Sequence, residues 1–336
     1  MTQPVRILHV ISHLDGYGGA RTLRWLAARQ AARGEAIAVA ALSSMPEIVA
    51  ELQATGVEVC PLASRWRADP IAAVRLAQAG RRTAPRVVHA WDAPALLYAR
   101  LAVRDRPLAA AWMERRRAWP WAAPHGIAPL PRGIATGAPS PLTRREALDA
   151  MGLSPEAEVI AMAGPLERRK GLDEAIWDFE LLRVLHPRAR LVLLGDGPDR
   201  CRLERYAHLV SEPGCVRFPG YRADVAALLP HADVFWQLDA AEATPLALLE
   251  AMSAGVPAVV SGLPALEAAV RHEETGLVVR RGHRAGVARA TDQLLNDRAL
   301  AQRLGAEAAA EVRGRWTLDA AEAACEAAYG EALGRR

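Results

Sequence analysis

Lysine occurs once in this 336-residue chain, at Lys170, against 41 arginines. The surrounding "AGPLERRKGLDEAI" sets it after a strand-like run and at the opening of a helix pattern. There, backbone N–H groups and a compact ammonium can bind phosphate oxygens together. A second turn, "LLGDGPDRCRLE", carries Gly195 and Gly197 after another strand pattern. Paired glycines permit a nucleotide to approach the backbone closely, although the same pattern also serves purely structural turns. A third stretch, "AEATPLALLEAMSAGVPAVV", puts Glu242 and Glu250 eight positions apart. Thr244 suits a helix N-cap and Pro245 the first helical position, which leaves Glu242 in the preceding loop and Glu250 well inside the helix. A loop carboxylate can reach a ligand entering over the helix start; one inside the helix can accept hydrogen bonds from a vicinal diol. The helix is apolar almost all round, so Glu250 is expected to face a cleft or a partner group, because a lone buried carboxylate is costly.

The elements that must position these residues alternate along the chain. "VRILHVI" reads as a strand, followed by the turn "SHLDGYGGA" and the helix-like "RTLRWLAARQAARG", which Gly34 closes. Further strands are predicted at "AIAVAALS", "VEVCPL" and "RVVHA", with helices at about 46 to 55 and 70 to 80. The second half restarts with "EVIAMAG" and a helix over about 171 to 185. Strands follow at "ARLVLLG", "CVRFPG", "ADVFWQL", "VPAVVSG" and "TGLVVR", with a short helix in "ADVAALLP". Such alternation predicts α/β domains with parallel sheets whose carboxyl ends can face one cleft. The Pro-, Gly- and Trp-rich stretch from 107 to 143 breaks the pattern, with a linker near 136 to 146. The expected division is therefore 1 to 145, compact and basic, and 146 to 336, which includes a terminal helix over "TLDAAEAACEAAYGEALGRR" that could pack on either domain.

Charge is unevenly spread: residues 1 to 150 hold 20 basic and 11 acidic side chains, residues 151 to 336 hold 22 and 27. The basic half suits an anionic partner such as a phospholipid surface or an acidic acceptor. Arg115, Arg116 and Arg117, flanked by Trp112, Trp119 and Trp121, form its sharpest basic and aromatic cluster. Nucleic acid is not expected, since no recognised binding module accompanies the charge. The apolar runs fall short of the roughly 20 residues that cross a bilayer, and the opening residues lead into a strand rather than a signal peptide, so a cytoplasmic location is expected. Cys60, Cys201, Cys215 and Cys325 lack metal or redox spacing, and no metal cluster is expected. Neither "DGYGGA" nor "GDGPDR" meets the dinucleotide fingerprint of a nicotinamide oxidoreductase. His13, Asp15, His89 and Asp92 lie at the ends of first-half strands or in the turns after them. They are the candidate acceptor-side residues, against the commoner reading of such histidines as local hydrogen-bonding groups.

From about 160 to 280 the chain resembles the second domain of the retaining glycosyltransferases of family 4. These have the GT-B architecture, two Rossmann-like domains facing an interdomain cleft. The resemblance rests on Glu242 and Glu250 with "EAMSAGVP", the later Glu267, the "KG" of Lys170 and Gly171, the "GDGP" of Gly195 to Pro198, and Gly18 with Gly19 after the first strand. It implies transfer of a hexose-type unit from a nucleoside diphosphate sugar to a glycan, lipid or small-molecule acceptor, without a metal or other cofactor. By the same resemblance Lys170 holds the donor diphosphate, Glu250 accepts hydrogen bonds from the ribose and Glu242 sits beside the donor sugar. Gly18, Gly19, Gly195, Gly197, Ala243 and Glu267 then complete the donor site, and the acceptor attacks from the face the diphosphate leaves. The chain departs from the family at Pro165, where an arginine is common, and at Ala243, where a glycine is. Arg168 or Arg169 is expected to compensate for the first. These departures keep two alternatives open: a catalytically weakened sugar-nucleotide binding or scaffold protein, and a nucleotide-sugar epimerase. A peripheral contact with the inner membrane face is a further expectation from the basic half.

Overall fold

The structure is a computed structural model, and it describes residues 6–64, 69–103, 105–110, 133–135, 140–238 and 246–334. The chain divides into two compact units, one formed by residues 1–133 with 318–336 and the other by 134–317. Unit 1 runs β1 (Arg6–Leu14), α1 (Gly18–Ala32), β2 (Ala36–Ser44), α2 (Pro46–Ala54), β3 (Glu58–Pro61), α3 (Pro70–Thr83), β4 (Val87–Ala90), α4 (Ala93–Ala102) and β5 (Leu108–Ala110). Unit 2 opens with α5 (Arg144–Ala150), β6 (Glu158–Ala163), a 3-10 turn at Arg168–Lys170, α6 (Leu172–Arg183), β7 (Ala189–Leu194), α7 (Arg200–Val210), β8 (Val216–Gly220) and α8 (Val225–Leu228). It continues through β9 (Val234–Gln237), α9 (Leu246–Ser253), β10 (Ala258–Ser261), α10 (Pro264–Glu267), β11 (Leu277–Val279), α11 (Arg284–Asn296) and α12 (Arg298–Arg315). The last helix, α13 (Leu318–Gly334), belongs to unit 1.

Both sheets are parallel throughout their described strands. Unit 1 has the order β3-β2-β1-β4-β5 and unit 2 the order β11-β10-β9-β6-β7-β8. In unit 2 the chain winds outward from β6 to β8, returns to β9 beside β6, and winds outward on the other side. The strand order therefore reverses between β6 and β9, and the crevice outside the carboxyl ends of strands at such a reversal is where open α/β sheets bind ligands.

Alternation along each strand explains how helices cover both faces of a sheet. In β1, Ile7 and Ile11 pack into one buried cluster with α1 and α13, whereas Leu8 and Val10 pack into another with α3 and α4. In β9, Val234 and Trp236 face the core shared with α6 and α11, and the Trp236 indole donates to Thr291 Oγ1 at 2.8 Å. Phe235 and Gln237 consequently turn to the opposite face.

The observed division differs from the single cut expected at 145. The expected terminal helix in the second domain is corrected by α13, which packs on α1, β4 and β5. It places Cys325 and Tyr329 in the unit 1 core, and Glu322, only 3% exposed, receives Arg33 at 3.1 Å. The helix is amphipathic toward unit 1, a preference that its alanine-rich sequence did not reveal. The turn glycine behaves as expected: Gly34 takes φ +82° and its N–H reaches Ala31 O at 2.9 Å.

Candidate functional site

Lys170 ends the 3-10 turn that joins β6 to α6, and Gly171 takes φ +63° to start the helix. Its side chain is buried, 8% exposed, along the open side of Gly164: a Cβ on that glycine would lie 3.8 Å from Lys170 Cε. Around it, at the carboxyl ends of β6, β7 and β9, is a small pocket bordered by Gly164, Pro165, Leu166, Lys170, Trp236 and Gln237. The only lysine of the chain is thus held at the strand reversal of unit 2.

The glycine turn of Gly195 and Gly197 supports this loop from the side. Pairing between β6 and β7 continues past the strands, with Gly164 N–H donating to Leu194 O at 2.9 Å, Leu166 N–H to Asp196 O at 3.0 Å and Asp199 N–H to Leu166 O at 3.1 Å. A Cβ on Gly195, which has φ +152°, would sit 1.9 Å from Gly164 O; one on Gly197 would sit 2.6 Å from Leu166 O. Space above both glycines is therefore filled by the lysine-bearing loop. Their lack of a side chain permits backbone to meet backbone and fixes the position of Lys170.

Glu250 lies in α9, 8% exposed, on the helix that packs against β6, β9 and β10. Glu267 ends α10 beside the carboxyl end of β10 and is exposed, with its Oε1 3.2 Å from where a Cβ on Gly262 would lie. Arg168 and Arg169 are both exposed, and Arg169 pairs with Glu167. Glu242, Ala243, Thr244 and Pro245, like Arg115 to Arg117 and their tryptophans, lie outside the described residues.

In unit 1, Gly18 and Gly19 form the first residues of α1, three positions before the predicted helix start, with Gly18 at φ +47°. Asp15 turns back to accept from Tyr17 N–H at 2.9 Å. His13 is exposed and bonds Ser43 Oγ through Nδ1 at 2.9 Å. Of the other two acceptor-side expectations, His89 is corrected by its full burial, and Asp92 is half-buried. Asp92 is the N-cap of α4, accepting from Ala95 N–H at 2.9 Å, and it also accepts from Ser12 N–H at 2.9 Å and Ser12 Oγ at 2.5 Å. His89 is fully buried, stacked on Trp91 with ring centroids 4.6 Å apart and bonded through Nδ1 to Tyr329 Oη at 2.6 Å. Beside it, His9 Nδ1 accepts from the Trp91 indole at 3.0 Å and Nε2 meets Gln30 Oε1 at 3.0 Å. Since indole N–H only donates, His9 is the neutral tautomer protonated at Nε2. Burial pushes His9 down to about 4, and burial followed by the neighbouring His9 holds His89 well below the usual range. This group builds unit 1.

One pocket residue escaped the sequence reading. Gln237 is 3% exposed, and its Oε1 has no hydrogen-bond partner among the described residues. Its only signal was an amide at the end of the otherwise apolar "VFWQL". Among the described residues no group of three His, Cys, Asp or Glu side chains is placed to hold a metal ion. No helix among them is long and apolar enough to cross a membrane.

Two Rossmann-like α/β units of this strand order define the GT-B fold, and solved structures share it over nearly the whole chain. Anabaena Alr3699/HepE in complex with UDP-glucose superposes with a TM-score of 0.79 at 17% identity, covering 96% of this chain and 98% of that one. Sucrose-phosphate synthase from Thermosynechococcus elongatus gives 0.78 at 16%, covering 98% and 100%. Residues 144–311 match the family described as Glycosyl transferases group 1, and the chain belongs to that family. Among curated relatives, the N-acetyl-alpha-D-glucosaminyl L-malate synthase of Bacillus anthracis is 29% identical over 157 residues, 47% of this chain and 41% of that protein. The lipopolysaccharide core biosynthesis glycosyltransferase LpsE of Rhizobium meliloti is 34% identical over 149 residues, 44% and 43% of the two lengths. The chain thus spans about four-tenths of the length of the curated relatives it matches.

Proposed function

We propose that the chain is a retaining glycosyltransferase that moves a sugar from a nucleoside diphosphate sugar to an acceptor hydroxyl, with unit 2 binding the donor and unit 1 the acceptor. The observation that carries this reading is Lys170, the one lysine, held by backbone contacts at the strand reversal of unit 2. As the bond from the sugar to the diphosphate breaks, negative charge gathers on the leaving oxygens. A preorganised ammonium there stabilises it by about 3 kcal/mol, on the scale of other anion-stabilising donors. The acceptor oxygen bonds to the sugar carbon from the side the diphosphate leaves, and its proton passes to a leaving phosphate oxygen. Glu250 takes the ribose hydroxyls and Glu242 the donor sugar; Gly18, Gly19, Ala243 and Glu267 complete the donor contacts. His13, Asp15 and Asp92 remain acceptor-side candidates. Calorimetric titration of wild-type protein and Lys170→Ala with UDP, GDP and ADP tests the reading. Selective binding that weakens at least tenfold in the variant is expected; no binding of any of the three to the wild type refutes it.

A sugar-nucleotide binding protein without turnover is the second reading, favoured by Pro165 at the pocket edge with Arg168 and Arg169 both exposed. It predicts saturable binding with neither transfer nor donor hydrolysis, which product analysis distinguishes. We further propose a cytoplasmic protein with peripheral contact to anionic membrane through the basic first 150 residues. Vesicle binding that requires anionic lipid and falls with salt is the expected result.

A further inference from the structure

The buried amide of Gln237 is the part of the pocket that the donor reading does not yet use. Gln237 closes β9, the strand on one side of the reversal, and Lys170 follows β6 on the other. The parallel register pairs Phe235 with Ala161, so its continuation sets Gln237 level with Ala163, one residue before Gly164 and the methylenes of Lys170. Gln237 faces away from the core shared by Trp236, α6 and α11, toward the side where α9, which carries Glu250, packs on β6 and β9. Gln237 thus lies at the pocket between the lysine loop and the α9 face.

A buried acceptor without a partner is uncommon and destabilising, and it marks a place where a ligand or water supplies the missing donor. Phosphate oxygens of a nucleoside diphosphate accept hydrogen bonds and cannot satisfy another acceptor. Along such a ligand the donors nearest the diphosphate are sugar hydroxyls, those of the ribose on one side and of the transferred sugar on the other. We propose that Gln237 is a specificity residue of the donor site, its Oε1 accepting a hydrogen bond from a sugar hydroxyl adjacent to the diphosphate held at Lys170. This inference rests on the donor-site reading above.

The test compares wild type, Gln237→Leu and Gln237→Glu by calorimetry with three probes: pyrophosphate, the best bound of UDP, GDP and ADP, and that nucleotide's glucose ester. Pyrophosphate has no sugar hydroxyl to offer, so Gln237→Leu should bind it as wild type does. The same variant should bind a hydroxyl-bearing probe about tenfold more weakly, the loss expected for one buried hydrogen bond. A loss already present with the nucleotide assigns the ribose; a loss confined to the glucose ester assigns the transferred sugar. Gln237→Glu keeps an acceptor oxygen but adds charge, so it should weaken pyrophosphate binding in a salt-dependent way. Unchanged binding of both the nucleotide and its ester by Gln237→Leu overturns the proposal while leaving the donor reading intact. So does an equal loss for all three probes accompanied by a lower melting temperature, which marks Gln237 as structural. Absence of nucleotide binding to the wild type instead overturns the donor reading itself.

Discussion

Acid should open unit 1 at its histidine core before any carboxylate is invoked. His9 Nδ1 already accepts from the Trp91 indole at 3.0 Å, so a second ring proton would set two donors against each other in a site with no solvent. The folded protein therefore binds this proton only near pH 4, against an ordinary histidine value of 6.5. Because the unfolded chain takes up the proton first, stability rises with pH between those values. It is complete above 6.5 and is lost as pH falls toward 4. The difference corresponds to about 3 kcal/mol for this fully buried ring, of which about 2.5 kcal/mol is lost between pH 7 and 4.5. His89 acts in the same direction. Ion pairs from Arg29 in α1 and Arg33 at its end to Asp319, Glu322 and Glu326 also fasten α13. His9→Gln, which places an amide where the ring was but cannot titrate, isolates the contribution of His9. Hydrogen exchange on the full chain, corrected for intrinsic rates, should show β1 and α13 losing about 2.5 kcal/mol of protection in the wild type, and clearly less in His9→Gln. Equal losses in the two proteins would refute the role given to His9.

Two substitutions address the site more directly. Gly195→Ala places a methyl group 1.9 Å from Gly164 O at φ +152°. It should destabilise the protein by about 3 kcal/mol or more and weaken pyrophosphate binding in whatever fraction stays folded. Gly282→Ala, at φ +76° with nothing within 4 Å, should cost only about 1 kcal/mol in the same chemical denaturation and leave binding unchanged. Glu250→Gln keeps the size of a buried side chain while removing its charge. It should bind nucleoside diphosphate about tenfold more weakly and pyrophosphate no more weakly, as calorimetry with both probes will read.

Strand and helix periodicity carried most of the fold. The runs around Val10, Val39, Ile160 and Val192 are short, apolar and bounded by turns, and each forms an interior parallel strand. Helix α4 starts directly after the strand end "HAWD", and its start is set by Asp92, whose side chain caps it by accepting from Ala95 N–H. Likewise, α7 begins immediately after the glycine turn that drew attention to Gly195 and Gly197. The place of α13 was illegible for another reason. Which unit a terminal helix joins depends on long-range pairs such as Arg33 with Glu322 and His89 with Tyr329, and neither has a local signal.

The site shows the same division between local and non-local information. Lys170 was conspicuous by its type alone, and its place between a strand and a helix followed from the pattern around it. What holds it there was legible only in space: the glycines read as room for a ligand are filled by the backbone of the lysine's own loop. Removing a side chain at Gly195 and Gly197 thus acts on the ligand indirectly, by letting the β6 and β7 loops pair beyond the ends of their strands. An ammonium on a flexible stem stabilises a developing charge only if its position is fixed before the charge appears. In this chain that fixing is done by backbone hydrogen bonds at Gly164, Leu166 and Asp199, each dependent on a neighbour some 30 residues away in sequence.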